Sequence, residues 1–218
     1  MGRPSRLSRL PHYGTLLAAL LLDIVLVPLL LALGASMSVA RLVMALVLGA
    51  AFLAVGSTRL AGFGLIIAVA AMAVSEISQD QLAMTIELGL RMVFVAYVVT
   101  AMTLEILRQG DAVTLDTIAG AACVYMLLGV LWAAGYALLE HLRPGSFTIP
   151  DDWIMPGHQL GPALVFFSYV TLTTVGYGDI RPAGPAAAGM AVVEAIVGQL
   201  FLAVTIARLV GQHLSRRS

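Results

Sequence analysis

Thr171-Leu-Thr-Thr-Val-Gly-Tyr-Gly-Asp179 is a short polar stretch between two apolar segments near the end of the chain. Within it, Gly176 and Gly178 alternate with Val175 and Tyr177. Glycine adopts backbone angles that are forbidden to residues with a Cβ atom. Carbonyl groups on consecutive residues can therefore be turned to the same side of the chain. A row of carbonyl groups of this kind can replace the water around a cation.

Residues 174–178 read Thr-Val-Gly-Tyr-Gly and resemble the selectivity filter of potassium channels. The resemblance implies that K⁺ is bound by Thr174, Val175, Gly176, Tyr177 and Gly178. It also implies that the Thr174 hydroxyl contributes at the inner end and that the Val175 and Tyr177 side chains face away from the pore. One chain supplies only one wall of such a ring and carries the motif once, so a homotetramer is implied. K⁺ is then the conducted ion, and no organic cofactor is expected.

The composition is typical of a membrane protein. Of 218 residues, 60% are hydrophobic and 11% are charged, and the mean hydropathy is +0.97. Twelve arginines and twelve acids give a formal net charge of zero, which offers no electrostatic support for a nucleic-acid partner. Cys123 is the only cysteine, and its apolar surroundings favour a packing role. We therefore expect an all-α membrane protein in a lipid bilayer.

Hydropathy predicts six transmembrane helices and one re-entrant segment. The spans are expected at residues 13–33, 39–55, 60–74, 82–107, 117–139 and 187–211. Residues 163–173 are too short to cross a bilayer and lead directly into residues 174–178, so they predict a re-entrant pore helix. With this topology more arginines lie inside than outside, which predicts cytoplasmic termini and a location in the cell membrane.

The resemblance extends to the six-helix prokaryotic channels, and it divides the chain into two predicted domains. Residues 1–110 have the topology of a voltage-sensor domain, and residues 111–218 form the pore domain. A voltage sensor needs several arginines at every third position, because each charge contributes only ~2.3 kcal/mol per 100 mV. Here Arg91 is followed by no basic residue before Arg108, and Glu87 is placed to pair with Arg91. Steep voltage gating is therefore not expected.

The sequence departs from the family pattern behind the filter. Phe166 and Phe167 stand where many members have tryptophan, and a phenyl ring cannot donate a hydrogen bond to the aspartate after the filter, here Asp179. Val170 stands where some members have a glutamate. Asp179 is therefore expected to lack two usual partners.

Two residues of the last predicted helix are candidates for supporting or gating the filter. Glu194 is either a strut that is hydrogen-bonded to Ser168 or Thr171, or a charge that lines the cavity. We favour the strut, because four close carboxylates would repel one another. Gly198 lies twenty residues beyond Gly178 and matches the glycine hinge of many potassium channels. Close packing without motion is the alternative, since a glycine inside a helix costs ~1 kcal/mol relative to alanine.

Two further polar residues have open interpretations. Asp23 interrupts the first apolar segment, where a carboxylate is expected to face other helices and find a partner; a sensing role is the alternative. His158 lies in the loop before the pore helix, where an ordinary exposed histidine and a pH sensor are both possible.

The function predicted is a potassium-selective channel and not an enzyme. A potassium transporter subunit would carry four degenerate filters in one chain. An intramembrane hydrolase would need a base within the membrane, but all four histidines lie outside the predicted spans. The alternative is a non-conducting or weakly selective membrane protein, or a regulatory subunit, with a pore-like fold. Few residues follow residue 211, so no cytoplasmic regulatory domain is expected on this chain.

Overall fold

A computed structural model describes residues 12–54, 80–108, 114–154 and 160–215. The third predicted span and His158 lie outside the described residues. The described residues are mostly helical, and the helices are numbered here in chain order. They are α1 (His12–Ala32), α2 (Met37–Ala54), α3 (Gln81–Arg108), α4 (Leu115–Leu142), α5 (Gly161–Leu172) and α6 (Pro185–Ser215).

Four of these helices contain a segment that is long and apolar enough to cross a membrane. The segments are Tyr13–Ala32, Gln81–Leu107, Leu115–Leu142 and Pro185–Gly211. Helix α5 is apolar but has only 12 residues, too few to span a bilayer. The chain is therefore an all-α, multi-pass membrane protein, as its hydropathy predicts. A count of six spans stays a prediction.

Helix α4 is central to the fold. It packs against α1 and α3 on one side and against α5 and α6 on the other. Its contacts with α1 and α3 form the larger hydrophobic core, which includes Leu20, Val95, Met102 and Leu127. Cys123 is fully buried in this core, in agreement with the predicted packing role.

Polar contacts fix both ends of α4 to its neighbours. At its start, Thr114 caps the helix by accepting a hydrogen bond from the Thr117 N–H (3.1 Å), and Asp116 Oδ1 accepts one from the Tyr13 N–H of α1 (3.2 Å). At its end, His141 Nε2 lies 3.2 Å from the Gln81 carbonyl oxygen of α3. Helices α3 and α4 therefore run antiparallel along their length.

Residues 143–154, which follow α4, contain regular structure despite their two prolines. Strand β1 (Phe147–Thr148) pairs antiparallel with β2 (Arg181–Pro182), which follows the filter residues. Glu140 accepts hydrogen bonds from the Gly145 N–H (2.7 Å) and the Phe147 N–H (3.1 Å). A second hydrophobic core forms beneath these strands from Tyr136, Phe147, Ala163, Leu164, Phe167, Ile180 and Ala187. This core holds the N-terminal half of α5 against α4.

Two charged residues of the membrane helices have different outcomes. The predicted pair on α3 is confirmed, with Arg91 Nη1 lying 3.9 Å from Glu87 Oε1. Asp23 is buried in α1, as expected, but its Oδ1 atom has no hydrogen-bond partner in the described ranges. That this carboxylate finds a partner stays a prediction, since the third predicted span lies outside the described residues.

Candidate functional site

The filter residues begin where α5 ends. Pro162 lies in the first turn of α5, where its missing N–H leaves no bond unmade. At the other end, the Val170 carbonyl accepts hydrogen bonds from the Val175 N–H (2.9 Å) and the Gly176 N–H (3.3 Å). The Thr171 carbonyl accepts one from the Thr174 N–H (2.9 Å). The chain therefore folds back onto the last turn of the short helix.

Every second residue from 174 to 178 has a positive φ angle. The values are 60° at Thr174, 59° at Gly176 and 84° at Gly178, whereas Val175 and Tyr177 have negative φ. Thr174 is the single non-glycine residue with positive φ in the part of the chain that the structure describes. A left-handed conformation there costs of order 1–3 kcal/mol, and such strain is characteristic of functional sites. The alternation matches the geometry that the two glycines predict.

All five residues from 174 to 178 are exposed in the single chain. The exposed fraction is 53% for Val175 and 72% for Tyr177. These large apolar groups thus have no protein cover on one side. One chain by itself does not enclose a path for an ion.

Glu194 is the point at which three helices meet behind the filter. It lies on α6 and is 0% exposed. The Tyr136 hydroxyl of α4 donates a hydrogen bond to Glu194 Oε2 (2.5 Å), and Ser168 Oγ of α5 lies 2.5 Å from Glu194 Oε1. Ser168 Oγ also lies 2.7 Å from the Gly129 carbonyl oxygen of α4. This arrangement corresponds to the strut that the sequence favours.

Thr171 takes a different part from the one expected. Its side chain forms no hydrogen bond with Glu194 among the described residues, and its contribution is the backbone carbonyl that accepts from Thr174. Ser168, one turn earlier on α5, is the residue that reaches Glu194. The sequence left both candidates open, and the register of α5 selects Ser168.

Gly198 lies against the end of α5. A Cβ atom at this position would be 2.5 Å from the Leu172 carbonyl oxygen and 2.9 Å from Leu172 Cδ1. The same carbonyl accepts a hydrogen bond from the Tyr125 hydroxyl of α4 (3.0 Å). Next to Gly198, Gln199 Nε2 donates to Thr174 Oγ1 over 3.5 Å. Gly198 is thus closely packed against α5, and α6 is continuous through it. The glycine hinge stays a prediction.

The two phenylalanines of α5 pack in different aromatic groups. Phe166 stacks on Tyr177 with ring centroids 6.3 Å apart and an interplanar angle of 8°, and it also contacts Trp153 (4.5 Å). Phe167 meets the rings of Tyr136 and Phe147 edge-on. Ring contacts therefore support the outer filter in this chain.

Asp179 follows the filter and is exposed. Its Oδ1 atom accepts a hydrogen bond from the Ile180 N–H (2.9 Å). Within the described segments of the single chain, no hydrogen bond joins it to a side chain of α5.

Sequence reasoning missed the contribution of α4. Tyr125, Gly129 and Tyr136 are separated by 4 and 7 residues, so they share one helix face and all point at α5 or α6. Gly129 admits the Tyr169 ring, because a Cβ atom there would lie 2.6 Å from Tyr169 Cε1. A hydroxyl in the middle of an apolar helix needs a hydrogen-bond partner. The Tyr125 and Tyr136 hydroxyl groups on one face of α4 were therefore the signal in the sequence that could have indicated this contribution.

The matched part of the chain is the part that contains this site. Residues 161–212, which comprise α5, the filter residues and most of α6, match the sequence profile of a family described as ion channel. The match supports an ion-channel pore region in these residues.

Two relatives are potassium channels by name. An inward rectifier potassium channel of Paramagnetospirillum magnetotacticum is 36% identical over 85 residues, which are 37% of this chain and 24% of that protein. A two pore potassium channel of Oryza sativa subsp. japonica is 37% identical over 90 residues, which are 41% of this chain and 17% of that protein. The chain thus spans less than a quarter of either relative. No solved structure gives a significant match.

Proposed function

We propose that the protein is a potassium-selective channel that conducts K⁺ passively across the cell membrane. The observation that carries this proposal is the positive φ angle at every second residue from Thr174 to Gly178. This alternation allows successive carbonyl oxygens to point towards one axis, where they can replace the hydration shell of K⁺. The preceding helix α5 directs the partial negative charge of its C-terminal end towards the same place.

The functional unit of this proposal is a homotetramer in which four copies of residues 174–178 surround one pore. Two features of the single chain support it: the motif occurs once, and the Val175 and Tyr177 side chains are exposed. Neighbouring copies would cover these side chains. Both termini face the cytoplasm, and K⁺ is the transported ion, with no organic cofactor.

Filter support comes from four of the residues that the sequence singled out and from one backbone carbonyl. Glu194 and Ser168 tie α6 to α5, and Phe166 and Phe167 pack the outer end. The Thr171 carbonyl holds the first filter residue. Asp179, at the outer mouth of the pore, is bound to the Ile180 N–H and not to a side chain of α5, and it contributes negative charge near the entrance.

Voltage has little influence on opening in this proposal. Residues 1–110 form a sensor-like domain, and residues 111–218 form the pore domain. In α3, Arg91 is paired with Glu87 on the same helix face, so little net charge is available to move in the field.

The test is K⁺ flux into liposomes that contain the purified protein. We expect a K⁺ flux that greatly exceeds the Na⁺ flux and that external Ba²⁺ blocks. Gly178→Ala should abolish it, because Gly178 has φ of 84° and a Cβ atom there meets nothing within 4 Å, so the backbone angle alone is at stake. Gly89→Ala is the control, since Gly89 lies in α3 with open space around it.

The proposal fails if wild-type liposomes show no Ba²⁺-sensitive flux at any voltage or pH. Bilayer recordings test the weak voltage dependence separately. Steep voltage-dependent opening at either polarity would contradict the role proposed for α3, but it would not contradict K⁺ selectivity at the filter.

A further inference from the structure

The chain of hydrogen bonds through Glu194 bears on whether its carboxyl group is protonated, as well as on its position. Its members are the Tyr136 hydroxyl, the two carboxyl oxygens of Glu194, Ser168 Oγ and the Gly129 carbonyl. The three links measure 2.5, 2.5 and 2.7 Å. All three are short enough to be hydrogen bonds, so each of them needs one hydrogen atom.

If Glu194 is ionised, the three hydrogen-bond links have only two hydrogen atoms between them. A tyrosine and a serine each bring one O–H hydrogen, whereas a carboxylate and a backbone carbonyl only accept. The Tyr136 hydrogen serves the link to Glu194 Oε2. The single Ser168 hydrogen cannot serve Glu194 Oε1 and the Gly129 carbonyl together. The Glu194 Oε1 atom and the Gly129 carbonyl oxygen, which can only accept, would then share the one hydrogen of Ser168.

A protonated Glu194 completes the chain. Tyr136 donates to Oε2, the carboxylic acid donates from Oε1 to Ser168 Oγ, and Ser168 donates to the Gly129 carbonyl. Three hydrogens then serve three links in one direction, and every acceptor is satisfied.

The surroundings of Glu194 agree with a neutral group. The side chain is 0% exposed, and Tyr136 and Ser168 are its hydrogen-bond partners in the described ranges, where no arginine pairs with it. A buried charge with no opposite charge beside it is strongly unfavourable, and such groups usually neutralise instead.

We infer that Glu194 is a protonated, hydrogen-bond-donating positioning residue that joins α4, α5 and α6 behind the filter. The chain of bonds lies within one subunit, so this part does not depend on the proposed function. Its consequence for conduction does rest on that function. Four neutral groups around the pore add no charge to the path of K⁺ and do not repel one another.

Infrared spectroscopy of the protein in lipid tests the inference directly. The expected result is a C=O stretching band of a protonated carboxylic acid that shifts in D₂O and is lost in Glu194→Gln. Ser168→Ala should move this band, because the acid loses the acceptor of its hydrogen. Glu140→Gln is the matched control and should leave the band in place, since both Glu140 oxygens accept from backbone N–H groups and none has to donate.

The inference is overturned if Glu194→Gln removes an ionised carboxylate band and leaves the acid band unchanged. It is equally overturned if Ser168→Ala does not move the acid band. The infrared measurement does not require conduction. A wild-type protein without flux would therefore contradict the proposed function, whereas the protonation of Glu194 would still be decided by the infrared bands.

Thermal unfolding gives a second, independent measurement. An amide can accept from Tyr136 and donate to Ser168, so Glu194→Gln should keep the unfolding midpoint within about 2 °C of wild type. Glu194→Leu should lower the midpoint much further, because both hydroxyl groups are left buried with a partner missing. Equal losses in the two variants would contradict the inference.

Discussion

At the scale of single residues, Gly198 is a position where one added methyl group is expected to destabilise the chain. Gly198→Ala places a methyl group 2.5 Å from the Leu172 carbonyl oxygen, a backbone atom that cannot turn away. Overpacking of this kind costs about 1–3 kcal/mol, which exceeds the roughly 1 kcal/mol that alanine gains in helix propensity. We expect a lower unfolding midpoint and reduced K⁺ flux.

Gly89→Ala is again the control for this prediction. It introduces the same methyl group into another apolar helix, where a Cβ atom meets nothing within 4 Å. Its unfolding midpoint should be unchanged or higher. If Gly198→Ala were as stable and as active as Gly89→Ala, the close contact between α6 and the end of α5 would be refuted.

Tyr125 is the second residue whose contribution can be isolated. Tyr125→Phe removes the hydroxyl that donates to the Leu172 carbonyl (3.0 Å) and keeps the ring contact with Phe201 (5.8 Å). The loss of one such bond should destabilise each chain by about 1 kcal/mol. Denaturation of the purified protein measures this loss. Tyr125→Leu, which removes the ring as well, should cost distinctly more. An unchanged stability of Tyr125→Phe would mean that the hydroxyl contributes nothing, and equal costs in the two variants would mean that the ring contributes nothing.

The sequence predicted some of these contacts and missed others for identifiable reasons. An acid in an apolar helix requires a polar partner, and this requirement predicts either Ser168 or Thr171 beside Glu194. Tyr136 gave a weaker signal, because a tyrosine in a membrane helix is also explained by packing or by an interface position. The contact at Gly198 depends on the distance between two helix axes, which local sequence does not encode.

At the scale of the helices, Arg208 joins α6 to the end of α3. Its Nη2 atom donates to the Leu107 carbonyl in the last turn of α3 (3.2 Å). A cation at a helix C-terminus satisfies a carbonyl that has no partner within the helix, and this is worth about 0.3–1 kcal/mol at an exposed site.

Arg208→Leu should therefore loosen the C-terminal end of α3, with faster hydrogen exchange of its last-turn amides and a small loss of stability. Arg208→Lys keeps the charge and should fall between wild type and the leucine variant. Unchanged exchange in Arg208→Leu would show that the contact does not hold α3 in the membrane.

Helix positions were predictable where hydropathy is continuous. The expected segment 187–211 lies within α6, and 117–139 lies within α4. Helix α5 begins two residues before its predicted start because Pro162 is favourable in a first turn. The pairing of β1 with β2 was missed, since two-residue strands have no periodic pattern to detect.

At the scale of the whole molecule, the exposed apolar side chains of α6 and of the filter predict assembly with further copies of the chain. Apolar side chains are exposed along α6 at Val192, Val193, Ile196, Leu200 and Val204, and Val175 and Tyr177 of the filter are exposed as well. The single motif in the sequence suggests fourfold assembly, but no contact within one chain encodes that number.

Mixed assemblies test the number of chains for each pore. If Gly178→Ala chains are inactive and combine freely with wild-type chains, only pores with four wild-type copies conduct. Co-reconstitution of equal amounts should then leave about one-sixteenth of the wild-type K⁺ flux, compared with about half if each chain acted alone. Separately reconstituted populations, mixed afterwards as liposomes, provide the control and should leave about half of the flux. A residual flux near one-half in the co-assembled sample would contradict the tetramer, and a flux near one-quarter would indicate a pore built from two chains.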